Sequence, residues 1–238
     1  MPDRTAVARV EWDGARARLL GADLGADDDD IMGAVNGAAK VGIDSPVGWP
    51  DAFVDFLAGY RDGQVAAVTG AGGPEWRQQL VNRRTDLFVR KVVGLTPLSV
   101  AADRIAHVAL RCTALLARLE ATGMTIDRAG LGVVVEVYPK ASLKRWNLLP
   151  QQSYKQSARP EAVAAVVAAL TSAAPWLDLG SCASAVRHSH DVLDALIAAL
   201  TARAALKGLT YPPDELHRAA ADTEGWIAVP CSTLDELP

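Results

Sequence analysis

The feature that most constrains the fold is a short run of apolar residues in the middle of the chain. Residues 131–137 read LGVVVEV, and the run ends at Tyr138-Pro139. β-Branched residues favour strands, and a strand that is apolar on both faces is typical of a sheet covered on both sides. The run therefore predicts a central buried strand in a layered fold, with helices packed against a sheet.

Other segments predict the remaining strands of that fold. Residues 5–11 and 15–22 alternate apolar and polar side chains on either side of Asp13-Gly14, a dipeptide typical of hairpin turns. Val41–Asp44 is a short apolar segment that ends in a carboxylate, and Trp226–Val229 predicts an edge strand. We expect the strands near Val41 and Val133 to belong to the same sheet.

Helical signals separate these strands. Four acids at Asp27–Asp30 precede an apolar stretch, which suits the positive end of a helix. Further helices are expected at 51–60, at 99–120 with Ser99 as N-cap, at 161–173 after Pro160, and at 191–206 with Ser189 as N-cap. The order of elements predicts an α/β fold in which a mixed sheet is flanked by helices. We expect a single domain over residues 1–238, with a helical insertion at about 51–125.

Charge and composition exclude several classes of protein. The net charge of −4 leaves no global basic field, so any contact with nucleic acid would depend on a local basic patch. Three irregularly spaced cysteines match neither a disulfide framework nor a zinc site. The first residues contain no apolar signal core, and charged residues interrupt every apolar stretch before it could span a bilayer. We therefore expect a cytoplasmic protein with no membrane partner.

Four carboxylates fall where chemistry is often placed in α/β folds. Asp44 and Glu136 come at or near the ends of apolar strands, and Asp191 and Asp194 lie three residues apart at the start of a helix, on one face. Ligands of open α/β sheets gather at the carboxyl ends of the strands. We predict that the four carboxylates point into one cleft, with Arg83 or Arg84 at its rim to bind phosphate.

A divalent cation would resolve the repulsion between such carboxylates. Gathered like charges raise one another's pKa values, whereas Mg²⁺ or Mn²⁺ accepts several oxygen ligands. Two ions about 4 Å apart can activate a water and stabilise the leaving oxygen of a phosphodiester. The sequence thus makes Asp44, Glu136, Asp191 and Asp194 candidate metal ligands and catalytic residues.

Ordinary structural roles compete with this interpretation. An aspartate that ends a strand is often a turn residue, and Asp191 suits the helix dipole. Glu136 and Asp194 are harder to explain in this way, because each lies in an apolar stretch and a buried acid needs a partner or a cation.

Three motifs in order carry a resemblance to a known family: GIDSPVGWP, VVVEVYP and HDVLDALIAALTA. With RRTD at Arg83–Asp86 and EGWIAVP at Glu224–Pro230, they resemble domain of unknown function 429, described as predicted ribonuclease H-like nucleases. The resemblance implies a ribonuclease H-like fold and, by analogy, metal-dependent phosphodiester cleavage. It matches Asp44, Glu136, Asp191 and Asp194 to the family's acids.

The chain departs from the family at its first strand. Members of the family begin with a strand of GVD type whose aspartate is an expected metal ligand, whereas this sequence starts at about the following strand. Two explanations stay open, a start upstream of Met1 or loss of the first acid, and a homodimer is one way to cover the gap in the sheet. The functional expectations are therefore a nuclease, whose activity would be impaired if the first acid is lost, a non-catalytic binding or scaffold protein, or an enzyme acting on a small phosphorylated metabolite.

Overall fold

The structure is a computed structural model that describes residues 4–64, 73–155 and 160–238. It is a mixed α/β structure that divides into two compact units. The first unit comprises Met1–Asp44, Val137–Tyr211 and Ala228–Pro238, and the second comprises Ser45–Glu136 and Pro212–Ile227. The second unit contains the whole stretch 51–125 that was expected to be an insertion. Residues 70–74 read GAGGP, a glycine-rich sequence typical of a loop, and they lie mostly outside the described ranges.

The first unit begins with the expected hairpin. Strands β1 (Ala6–Asp13) and β2 (Arg16–Leu24) pair antiparallel, and Gly14 in the turn has a φ of 56°, a conformation that glycine adopts without strain. A third strand, β5 (Leu177–Asp178), pairs parallel to β2, which gives the order β1-β2-β5. The alternating apolar side chains of the hairpin face a core that also includes the last long helix of the unit.

Among its described residues, the first unit also contains five α-helices. They are α1 (Asp28–Val35), α6 (Pro139–Arg145), α7 (Pro160–Ala173), α8 (Ala183–His188) and α9 (His190–Leu206). The Asp27 side chain caps α1 and the Ser189 side chain caps α9, so both expected helix starts are confirmed. Helix α9 is apolar around most of its circumference, and ten of its residues are buried, which makes it the centre of the unit.

A second sheet has the strand order β3-β4-β6, with β3 at Val41–Ile43, β4 at Val134–Val137 and β6 at Ile227–Ala228. The described strands therefore form two sheets, with the hairpin in the first, where the sequence predicts one mixed sheet. All four residues of β4 are buried, as the apolar run predicts, and β3 and β4 belong to one sheet. Strand β6 confirms the expected edge strand. Strand β4 begins at Val134, three residues after the start of the apolar run at Leu131, which is 75% exposed.

The second unit is largely helical, with α2 (Asp51–Arg61), α3 (Pro74–Val81), α4 (Arg84–Val93), α5 (Ala106–Ala121) and α10 (Arg218–Glu224). The predicted start of α5 at Ser99 is wrong. The Ser99 hydroxyl donates to the Val81 carbonyl and accepts from the N–H groups of Ala101 and Ala102, so it caps a turn and the helix begins at Ala106. Within the described ranges, no helix is both long and apolar enough to span a membrane.

Candidate functional site

Asp194 is a buried acid of the first unit whose carboxylate has two close partners. It lies on α9 and is 6% exposed, so its carboxylate is largely removed from water. The Tyr154 hydroxyl donates to its Oδ1 at 2.6 Å, and the Lys155 ammonium lies 2.6 Å from its Oδ2. Each oxygen of this buried carboxylate therefore has a strong donor.

The negative charge of Asp44, which lies in another part of the unit, also stabilises the ammonium group of Lys155. Asp44 follows β3 directly and is exposed. Partial burial lowers the pKa of Lys155, but the charges of Asp194 and Asp44 raise it more, so the pKa lies above its ordinary value. Asp44, Tyr138, Tyr154, Lys155 and Asp194 are called the carboxylate–lysine cluster below. All five belong to the first unit.

The two tyrosines of the cluster stay protonated at neutral pH. Burial raises the pKa of Tyr154, and the charge of Asp194 and its hydrogen bond raise it further. Burial is also the main cause that raises the pKa of Tyr138; the charge of Lys155 opposes this rise, and the charges of Asp44 and Asp194 add to it. Both phenols are therefore hydrogen-bond donors beside the carboxylates rather than bases.

Close packing of β3 on α9 brings this cluster together. Gly42 lies so near α9 that a Cβ atom at this position would be 2.5 Å from the Ala198 carbonyl oxygen. A strand with any side chain here would be pushed away from the helix. The glycine thus sets the separation between the strand that leads to Asp44 and the helix that carries Asp194.

Asp191 has a different neighbour. It lies three residues before Asp194 on α9, in the first turn, and its side chain is 27% exposed. Its Oδ1 atom is 3.2 Å from Nδ1 of the adjacent His190. The helical spacing was predicted correctly, but the contact that Asp191 makes is with this histidine.

Glu136 belongs to a second network, in the second unit. Its two oxygens accept from the two terminal nitrogens of Arg83, each at 2.7 Å, and Oε2 also accepts from the Val47 N–H at 3.1 Å. Burial raises the pKa of Glu136, and Arg83 and the Val47 N–H oppose that effect. The structure therefore gives this buried acid an arginine as its partner.

Arg83 is saturated by this network. It is 1% exposed, and its remaining donors bind the Asp86 carboxylate and the Glu224 carbonyl. Burial lowers the pKa of the guanidinium, but Glu136 and Asp86 raise it more, so the group stays charged. All five N–H groups of the side chain are used, so this geometry gives Arg83 a structural role in place of the expected contact with phosphate. Arg84 is exposed, and its contact with phosphate stays a prediction.

Glu224 extends the network to two helix N-termini. Its Oε1 accepts from the Asp51 N–H at the start of α2 at 2.9 Å, and its Oε2 accepts from the Arg84 N–H at the start of α4 at 2.6 Å. A carboxylate at such a position satisfies N–H groups that have no partner within the helix. Glu224 thus connects the starts of two helices of the second unit.

The four predicted acids are therefore distributed over different surroundings. Asp44 and Asp194 share Lys155, Asp191 contacts His190, and Glu136 pairs with Arg83. Among the residues that the structure describes, no three His, Cys, Asp or Glu side chains are grouped so that they could hold a metal ion. Sequence reasoning missed Tyr154 and Lys155, although the rule that a buried acid needs a cation applies equally to an ammonium group.

Comparisons with known proteins add one result to this geometry. A family model described as protein of unknown function, DUF429, matches residues 2–218 of the chain. Comparison with curated proteins and with solved structures gives no match.

Proposed function

The chain belongs to the DUF429 family, and on the geometry of its carboxylates we propose that it is a ribonuclease H-like protein that hydrolyses phosphodiester bonds with Mg²⁺ or Mn²⁺. The observation that carries the proposal is that Asp44 and Asp194, both candidate metal ligands in the sequence, stabilise the same ammonium group, that of Lys155. Asp194 does so through an ion pair, and Asp44 does so through its negative charge. The mixed α/β fold supports the proposal. A β-hairpin precedes β3, which leads to Asp44, and the long helix α9 near the end of the chain carries Asp194.

The donor set fits one hard cation better than two. Mg²⁺ keeps several waters and is often bound by one or two carboxylates together with substrate phosphate oxygens. Asp44 and Asp194 supply two carboxylates, and the Lys155 ammonium stands where positive charge is favoured. Glu136 is not part of this set, since Arg83 occupies both of its oxygens. A cation held here would activate a water and stabilise the leaving oxygen.

The protein's own residues would orient the site. The Tyr154 hydroxyl fixes Oδ1 of Asp194, which leaves Oδ2 as the oxygen that can exchange its partner. Tyr138 is a protonated donor beside both acids. The low exposure of Asp194 limits competition from water and strengthens electrostatic interactions.

A non-catalytic binding protein is the second candidate. It is favoured by the fact that the buried acids are already neutralised, Asp194 by Lys155 and Glu136 by Arg83. Such pairs balance buried charge without any metal ion. Under this alternative the fold presents a surface to a partner, and the carboxylates have only structural roles.

Metal titration combined with a cleavage assay separates the two. The full chain is titrated with Mn²⁺ by calorimetry and incubated with labelled single-stranded DNA and RNA and with a small phosphodiester. Asp44→Asn and Asp194→Asn should each lower Mn²⁺ affinity or activity by roughly 10- to 100-fold. Asp55→Asn, which removes an exposed carboxylate of α2, should change neither.

The outcomes distinguish the candidates. Cleavage that depends on Mn²⁺ and on both acids supports the nuclease, and the substrate that is cut identifies its class. Cleavage that is unaffected by Asp44→Asn and Asp194→Asn would place the chemistry elsewhere. Neither Mn²⁺ binding nor cleavage, in a folded protein, leaves the binding protein as the explanation.

A further inference from the structure

The two oxygens of Asp194 are held by partners of very different mobility. Tyr154 is 2% exposed and packs in the core of the first unit, so its hydroxyl is fixed on Oδ1. Lys155 reaches Oδ2 with a long side chain that is 41% exposed. A half-exposed lysine can exchange its carboxylate partner for water at little cost, whereas a buried phenol cannot.

The ammonium group of Lys155 also carries the positive charge that the acids require. It lies 2.6 Å from Asp194 and is near enough to Asp44 to be stabilised by that charge. A divalent cation bound to the same carboxylates would stand within a few ångströms of the ammonium. Two positive charges at that distance repel each other, most strongly where water is partly excluded.

We infer that Lys155 is the resident counter-cation of Asp44 and Asp194, and that a divalent cation binds by displacing its ammonium from Oδ2 of Asp194. The inference deepens the proposed function and rests on it for the identity of the cation. It makes Asp194 a ligand through one oxygen, with the other still held by Tyr154. Lys155 then sets the affinity of the site, because every binding event must break its ion pair.

Substitution of Lys155 tests this directly. In calorimetric titrations of the full chain with Mn²⁺, Lys155→Met should bind about tenfold more tightly than the unsubstituted protein, as expected when one nearby positive charge is removed. Lys155→Arg keeps the charge and should bind as the unsubstituted protein does. Lys91→Met makes the same charge change at an exposed position of α4 and should have no effect. Asp194→Asn in the Lys155→Met background should abolish the gain.

A second variant keeps the test decisive if Lys155→Met fails to fold, because that substitution leaves the buried Asp194 carboxylate without its cation. Lys155→Gln can still donate to Oδ2 without a charge, and it should show a smaller gain in affinity than Lys155→Met. Circular dichroism confirms that each variant is folded before titration.

Equal or weaker Mn²⁺ binding by folded Lys155→Met and Lys155→Gln would overturn the inference. If the unsubstituted protein nevertheless binds Mn²⁺ and cleaves nucleic acid through Asp44 and Asp194, the proposed function survives that result. Tighter Mn²⁺ binding by Lys155→Met, together with no cleavage of any tested substrate by the unsubstituted protein, would support the role of Lys155 and contradict the nuclease.

Discussion

Arg83 and Glu136 form two parallel hydrogen bonds of 2.7 Å, with the guanidinium donating from both terminal nitrogens to both carboxylate oxygens. The side chains are 2% and 3% exposed. This geometry is the most specific that an arginine and a carboxylate can adopt, and it is combined with hydrogen bonds to Asp86, Val47 and the Glu224 carbonyl. The second unit is therefore organised around a buried charged network rather than around an apolar centre alone.

Removal of one partner of this pair should strongly destabilise the protein. Arg83→Met leaves Glu136 and Asp86 buried without their cation, and we expect a loss of about 3–5 kcal/mol in the free energy of unfolding. Arg84→Met, at the adjacent exposed position, should change it by less than about 0.5 kcal/mol. Urea denaturation followed by circular dichroism measures both. A loss below 1 kcal/mol for Arg83→Met would show that the network contributes little.

Much of the local structure could be predicted from the sequence because it depends on neighbouring residues. Asp13-Gly14 predicted the hairpin, Ser189 predicted the start of α9, and the apolar run predicted β4. Each prediction used a rule that involves only a few neighbouring positions. The prediction that Ser99 starts α5 was wrong because its hydroxyl caps a turn that lies before the helix. The helix itself starts seven residues later, at Ala106.

The partners of the candidate site could not be predicted in this way. Tyr154 and Asp194 are separated by 40 positions, and Arg83 and Glu136 by 53. No periodicity or spacing rule joins residues so distant, because their contacts depend on how the helices and strands pack. The sequence indicated correctly that Glu136 and Asp194 are buried acids, but it did not indicate that side-chain cations would neutralise them.

Gly42→Ala should disturb the approach of β3 to α9. The added methyl would meet the Ala198 carbonyl oxygen at 2.5 Å, and backbone must move to accept it, so we expect a loss of about 1–3 kcal/mol. Gly33 provides a matched control, since it lies inside α1 and a methyl there meets nothing within 4 Å. Gly33→Ala should stabilise the protein by about 0.5–1 kcal/mol through helix propensity. Thermal and urea unfolding of the two variants compare the effects, and equal stabilities would show that the close contact relaxes freely.

Cys112 should be the least reactive of the three thiols. It is buried in α5, and burial raises its pKa to about 11, with a hydrogen bond to Ser45 opposing and Glu136 adding to the effect. At pH 8 a thiol-specific reagent should modify exposed Cys231 quickly and leave Cys112 unmodified until the protein unfolds. Peptide mass mapping after timed labelling measures this, and early modification of Cys112 in the folded protein would contradict it.

The same shift has a consequence for stability at high pH. The thiol of Cys112 ionises in the unfolded chain near its ordinary pKa of 9.0 and in the folded protein only near 11. The folded state therefore binds the proton more tightly, and its contribution to stability is complete below pH 9 and is lost as the pH rises towards 11. Cys112→Ala should weaken this fall in the urea midpoint between pH 9 and 11, whereas Cys231→Ala, at an exposed position, should leave the fall unchanged.

Tyr154→Phe should destabilise the first unit by removing one hydroxyl. The ring fits the same space, but Oδ1 of the buried Asp194 loses a donor at 2.6 Å, and hydrogen bonds to charged groups contribute about 1.5–3 kcal/mol. Tyr60→Phe is the matched control, because Tyr60 is 61% exposed on α2 and its hydroxyl can bind water in either state. Urea denaturation at neutral pH should show a lower midpoint for Tyr154→Phe and an unchanged one for Tyr60→Phe. Unchanged midpoints in both variants would mean that the Lys155 ammonium alone is sufficient to hold the Asp194 carboxylate in the folded protein.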